Sequence, residues 1–181
     1  MNTFENNIAK LRMLGLGIAL IVFILDQFSK WWMLTEVMPV PTVMRITSFF
    51  NLVIAYNRGI SFGMFGASSD MGSWVLIGIA VVIVAFLLSW LMRGESLLSV
   101  LATGLIIGGA LGNVADRIRF GAVVDFLDFH IGSSHWPAFN VADTAITLGA
   151  AALILEALKP EPEQPKNNTI TDTDHNQSEK P

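Results

Sequence analysis

FNVADTAITLGAAALILEAL, residues 139–158, decides what kind of chain this is. Twenty residues at about 1.5 Å each span about 30 Å, the thickness of a bilayer's hydrocarbon core. The stretch is apolar enough to cross as one helix, yet it carries Asp143 near its start. A charge in hydrocarbon is costly, so an ionisable residue in such a segment marks a functional site unless its neighbours explain it.

Three similar runs precede it, over residues 13–34, 72–92 and 97–117, the last ending at Asp116 and Arg117. Only 14% of the 181 residues are charged and 52% are hydrophobic, against roughly 25% charged in soluble domains. The expectation is an all-α integral membrane protein with four transmembrane helices, forming one domain over residues 1–158. The connection 35–71 contains the helix breakers Pro39 and Pro41 and the β-branched, aromatic run ITSFFNLVIAYN. It is read as a small extended or β segment at the membrane surface. A shorter polar stretch, RIRFGAVVDFLDFHIGSSHWP, joins the third and fourth runs, and the polar residues 159–181 are expected to be disordered.

Lys10 and Arg12 lead the first run as they would a signal peptide, but Asp26, Lys30, Trp31 and Trp32 follow it where a small-residue cleavage site would stand. An uncleaved anchor is the reading. Part of the net charge of −4 lies in the polar tail, so no nucleic-acid partner is implied. Without cysteine there is no disulfide, thiol nucleophile or thiolate metal site. His130 and His135 lack metal-ligand spacing and are read as bystanders, so neither a metal nor a cofactor is expected.

Four crossings return the chain to its starting side, which allows depths to be compared. A helix leaving Arg12 carries Asp26 about 20 Å and Lys30 about 27 Å across. The third run meets Asn113, Asp116 and Arg117 at that far end, and the fourth meets Asn140 and Asp143 as it starts back. The loops on that side add Asn57, Arg58 and Asp125. One polar cluster at the far interface is inferred. Some members have plain structural uses: Asp26 and Lys30 at i, i+4 can pair, and the Gly108-Gly109-Ala110 run suits close helix packing.

Asp125 and Asp143 resist such explanations best, because each is flanked by apolar residues and an unpaired buried anion is expensive. Two carboxyl groups brought together can share a proton and act as an aspartyl dyad, activating water and protonating the substrate. Asp128 is a rival for either position. GISFG, residues 59–63, matches the nucleophile elbow of serine hydrolases and would nominate Ser61 with His130 or His135. That motif needs a strand, a sharp turn and a helix, and is disfavoured in a surface stretch. A relay of Asp26, Lys30, Asp116 and Asp143 in an ion transporter is a further reading, opposed by the crowding of polar groups at one end. A purely structural membrane partner is a third.

DQFSK (26–30), FFNLVIAYNRGISFGMF (49–65), GGALGNVADR (108–117), GAVVDF (121–126) and FNVADTAI (139–146) together resemble, in order, the signature blocks of bacterial lipoprotein signal peptidases, or signal peptidase II. The resemblance implies an inner-membrane aspartyl endopeptidase with both termini cytoplasmic and its active site near the periplasmic face. It would cleave prolipoproteins on the amino side of a diacylglyceryl-modified cysteine, as a monomer among membrane lipids and without a cofactor. By block, Asp125 and Asp143 would be catalytic, Asn57, Asn113, Arg117 and Asn140 would line the site, and Asp26, Lys30 and Asp116 would support it. The 35–71 connection would be a small periplasmic sheet that cradles the substrate. Ser61 stands where many relatives carry alanine, which weakens the serine reading further.

Overall fold

The computed structural model describes residues 2–59, 71–93 and 96–159, with side chains from residue 7 onward. Ser61 and the tail from residue 160 therefore lie outside the described residues. Helix α1 runs over Asn2–Trp32 and continues as a π-helical turn, Met33–Val37. Then come strands β1 (Met44–Arg45) and β2 (Phe50–Asn57), helices α2 (Met71–Leu91) and α3 (Leu97–Phe120), strands β3 (Val123–Ile131) and β4 (Ser134–His135), and helix α4 (Val141–Ala157). Among the described residues, three helical segments are long and apolar enough to cross a membrane: Asn7–Val37, Met71–Leu91 and Leu97–Phe120. Helix α4, at 17 residues, is the shortest of the four.

Helix α3 is the centre of the bundle. Two-thirds (67%) of its most apolar stretch is buried, against 17% and 22% for the first two segments. Glycine makes this possible. A Cβ on Gly104 or Gly108 would run into the carbonyls of Gly15 or Ala19 on α1, and one on Gly109 into that of Ala142 on α4. Without those Cβ atoms the helix backbones meet directly, the usual way helices associate where hydrophobic driving force is absent. The contact with α2 is apolar instead, Val84, Leu87 and Leu91 packing with Ile107 of α3 and Ala19 of α1. The Ser96 hydroxyl caps the start of α3 by accepting from Ser99 N at 3.0 Å. At its end Gly121 adopts the left-handed conformation (φ 68°), which turns the chain into β3.

The sheet corrects the expectation in one respect. The sequence places extended chain only in the 35–71 connection, but the antiparallel sheet has the order β1-β2-β3-β4, and half of its strands come from the stretch between α3 and α4. The alternation that marks a half-buried strand is missing from β3 because Val123 to Phe126 are all buried, both faces being covered. The 35–71 connection also begins by continuing the helix through its π-turn. Met33 and Met38, at the two ends of that turn, pack with Phe126 beneath the sheet and weld the top of α1 to β3.

The register of β2 against β3 shifts partway along the pair. Asn51 pairs with Asp128 and Leu52 with Leu127, but Ala55 pairs with Asp125 and Asn57 with Val123, so Val53 and Ile54 together oppose Phe126. This one-residue bulge on β2 reverses which face its later residues present.

Candidate active site

Asp125 and Asp128 are three apart on β3 and so face opposite sides of the sheet. Asn51 and Asn57 are six apart and would share a face on a regular strand. The bulge separates them. Asn57 Nδ2 donates to Asp125 Oδ2 at 3.0 Å on one face, and Asn51 Nδ2 donates to Asp128 Oδ2 at 2.9 Å on the other. Asp128 is also bound by His135 Nδ1 at 2.9 Å, and the Asn51 bond holds its carboxyl below the usual carboxylate range. It is thereby held on the face of β3 opposite the one Asp125 presents to Asn57.

Asp143 arrives by a different route. Asn140 is the N-cap of α4: its Oδ1 accepts from Asp143 N at 2.9 Å, while Asp143 Oδ2 accepts from Asn140 N at 3.3 Å, a reciprocal capping box. A carboxylate in the first turn also complements the positive end of the helix dipole. The polar residues at the head of this apolar segment thus have a local reason to begin a helix there.

The two carboxylates are linked through amides. Asn140 Nδ2 donates to Asp125 Oδ1 at 2.7 Å and lies 3.3 Å from Asn113 Oδ1, while Asn113 Nδ2 donates to Asp143 Oδ1 at 2.8 Å. Asp125, Asn140, Asn113 and Asp143 form one chain drawn from β3, the N-cap of α4, α3 and α4. Asp125 and Asn140 are buried, Asp143 is half-buried and Asn57 is exposed, so the cluster opens to the outside at Asp143 and Asn57. Burial raises the Asp125 carboxyl to about 6, and the charge of Asp143 pushes the same way against the bonds from Asn57 and Asn140. Arg117 lies among the negative charges of Asp143, Asp116 and Asp125. Its Nη1 donates to Asn113 O at 3.4 Å, and its buried Nε has no protein partner among the described residues.

Asp26, Lys30 and Asp116 form a second layer. Lys30 Nζ lies 2.7 Å from both Asp26 Oδ2 and Asp116 Oδ2, so the expected i, i+4 pair exists and extends to a second carboxylate on α3. Gln27 also belongs to this layer, a contact that sequence reasoning missed. Its Nε2 donates to Asp116 Oδ1 at 2.9 Å and to Gly112 O at 3.2 Å, and its Oε1 accepts from Arg119. The available signal was an amide beside Asp26 within an apolar run. His130 and His135 stack on each other (4.9 Å between ring centres) on the side of Asp128. Beside Asp143 runs a mainly apolar groove of about 400 Å³, walled by Trp136, Phe139, Thr147 and Leu148.

A cluster of this composition can hold water between two carboxyl groups while amides fix their orientation. Comparison with known proteins places the chain in a family. A family model described as signal peptidase (SPase) II matches residues 18–159. The lipoprotein signal peptidase of Rhizorhabdus wittichii is 45% identical over 160 residues, covering 87% of this chain and 93% of that protein. Those of Burkholderia multivorans and Methylorubrum extorquens are 46% and 40% identical, over 80% and 91% of this chain and 87% and 96% of theirs. Among solved structures, a bacterial membrane enzyme determined by the in meso method at 1.9 Å superposes with a TM-score of 0.70 at 30% identity, covering 82% of this chain and 94% of that one.

Proposed function

The chain belongs to the signal peptidase II family, a family of proteases that process lipoproteins, and we propose that it removes signal peptides from bacterial prolipoproteins by water attack at an aspartyl pair, Asp125 and Asp143. The observation that carries the reading is the amide chain Asp125–Asn140–Asn113–Asp143, which ties two carboxylates from separate elements into one network that reaches the outside at Asp143.

In the proposed step, one carboxylate of the pair takes a proton from a water molecule whose oxygen attacks the scissile carbonyl carbon. The other, protonated, gives its proton to the carbonyl oxygen. Collapse of the tetrahedral diol breaks the C–N bond, and the leaving nitrogen takes a proton from the pair. Arg117 and Asn57 flank the cluster and suit hydrogen bonding to the unwound substrate backbone. The groove beside Asp143 suits apolar material, such as the diacylglyceryl chains on the cysteine that follows the cleaved bond. A lipid that stays in the bilayer would position that bond and supply binding energy at once.

On this reading residues 1–158 act as a single inner-membrane unit. Helix α4 is the fourth crossing, both termini are cytoplasmic, and the sheet and Asp pair lie near the periplasmic face. The polar residues collect at one end of the bundle, which favours an interfacial protease over a transmembrane ion relay. The test is incubation of the full-length protein, in detergent or liposomes, with a diacylglyceryl-modified prolipoprotein. Wild type should cleave before the modified cysteine, and Asp125→Asn and Asp143→Asn should each lose at least about a thousandfold in kcat. Full activity in either variant would remove that residue from the pair.

A further inference from the structure

Asp26, Lys30 and Asp116 take no part in the hydrolytic step, yet they are almost completely buried, at 0, 3 and 1% exposure. Burying an ammonium between two carboxylates costs desolvation, and apolar side chains of similar volume often hold helices together as well. Buried ions can do something apolar groups cannot, which is to orient hydrogen-bonding groups.

Their remaining bonds have a pattern. Asp26 Oδ1 accepts the backbone N–H of Ala142 at 2.9 Å, and Asp116 Oδ2 accepts that of Val124 at 3.1 Å. Ala142 immediately precedes Asp143, and Val124 immediately precedes Asp125. Lys30 joins the two carboxylates and makes one further bond, to Asn113 Oδ1 at 3.2 Å. That bond identifies the oxygen end of the Asn113 amide and leaves its Nδ2 to donate to Asp143.

We infer that Asp26, Lys30 and Asp116 form a clamp that sets the separation and orientation of the Asp125 and Asp143 carboxyls, each outer carboxylate gripping the backbone just ahead of one member of the pair. The inference rests on the proposed aspartyl pair. It makes Lys30 a positioning residue: it acts on the reaction through Asn113 and the two backbone amides. Small errors matter here, because a displacement of about 1 Å in a reacting group can cost about a hundredfold in rate.

Charge gives the clamp a signature that simple anchoring lacks. The charged groups facing the pair are Lys30 and Asp26 from α1 and Asp116 and Arg117 from α3; the remaining neighbours, Asn57 from β2, Asn113 from α3 and Asn140 before α4, are neutral amides. Removing the Lys30 charge makes ionisation of the pair harder and moves the acid limb of kcat/KM to higher pH. Removing the Asp116 charge moves it to lower pH.

The experiment measures kcat, KM and pH profiles for full-length wild type, Lys30→Gln and Asp116→Asn on the diacylglyceryl-modified prolipoprotein, with Asp125→Asn and Asp143→Asn alongside. Absent cleavage by wild type, or full activity in the Asp125 or Asp143 variant, would sink the aspartyl-pair reading itself. With that reading intact, Lys30→Gln should lose about a hundredfold in kcat while KM changes less than about threefold, Asp116→Asn should lose about tenfold, and their acid limbs should move in opposite directions. Folded variants with kcat within about threefold of wild type, or with losses but no opposed movement of the limbs, would overturn the clamp. Should Lys30→Gln fail to fold, Asp116→Asn decides alone: its amide oxygen can still accept from Val124 and Lys30, so an unmoved limb in that variant overturns the inference.

Discussion

Asn140 donates to Asp125 Oδ1 at 2.7 Å with the same side chain whose Oδ1 caps the N–H of Asp143 at 2.9 Å, so one residue aligns both carboxylates. It is fully buried, and its Nδ2 also reaches Val124 O at 3.2 Å. Asn140→Ala removes the helix cap, worth about 1 kcal/mol, and strips Asp125 of one of its two side-chain donors. Unfolding of the purified protein should show a loss of about 2 kcal/mol or more once the unmet buried acceptors are included. Cleavage should fall about a hundredfold, with the larger part in kcat.

Asp125 should oppose stability while serving chemistry. Burial holds its carboxyl at about 6 in the fold, against about 3.9 in an unfolded chain. The fold therefore binds this proton more tightly than the unfolded chain does. The associated stability is fully present below about pH 4, is lost as pH rises through about 6, and stays lost above. Asp125→Asn cannot ionise, so it should be inactive yet more stable than wild type by about 1–3 kcal/mol at pH 8. The gain should shrink towards zero near pH 4. Melting curves of both proteins at the two pH values check the sign, and a gain that grew on acidification would contradict it.

The helices were legible in the sequence because length and apolarity suffice to mark them, and the polar cluster was legible because depth along a helix comes from rise per residue. Strand β3 was not. With Val123 to Phe126 buried on both faces it has no period-two pattern, and its two aspartates, three apart, read equally well as loop polarity. Nor could spacing reveal the bulge at Val53 and Ile54, although that one extra residue directs Asn57 to Asp125 and Asn51 to Asp128. The Lys30–Asp26 pair is implied by i, i+4 spacing, whereas the Lys30–Asp116 bond joins residues far apart in the chain and requires the fold.

Two glycines should behave oppositely on substitution by alanine. A Cβ at Gly112 would collide with Asp26 Oδ2, an atom pinned by Lys30 and Gln27. Gly112→Ala must displace that carboxylate or part α1 from α3, and should lose about 2–4 kcal/mol together with most activity. A Cβ at Gly17 on α1 meets nothing within 4 Å. Gly17→Ala should leave cleavage unchanged and gain about 0.5–1 kcal/mol from helix propensity. Equal melting temperatures for the two variants would contradict the packing described for Gly112.

Asp128 provides the sharpest comparison with Asp125, since the two lie on one strand with different surroundings. Its carboxylate is held by Asn51 and His135 on the face away from Asp143. Asp128→Asn should therefore retain cleavage within about threefold of wild type, where Asp125→Asn loses about a thousandfold or more. The stability effect should also have the reverse sign. The Asp128 carboxyl lies below its ordinary value, chiefly through the Asn51 bond. Its stabilising contribution is present above about pH 4, the unfolded value, and is lost as pH falls through the lower value in the fold. Asp128→Asn should thus lower the melting temperature at pH 7 and lose that disadvantage in acid. Abolished cleavage by a folded Asp128→Asn variant would return Asp128 to contention for the catalytic pair and overturn the division of the two faces made by the bulge.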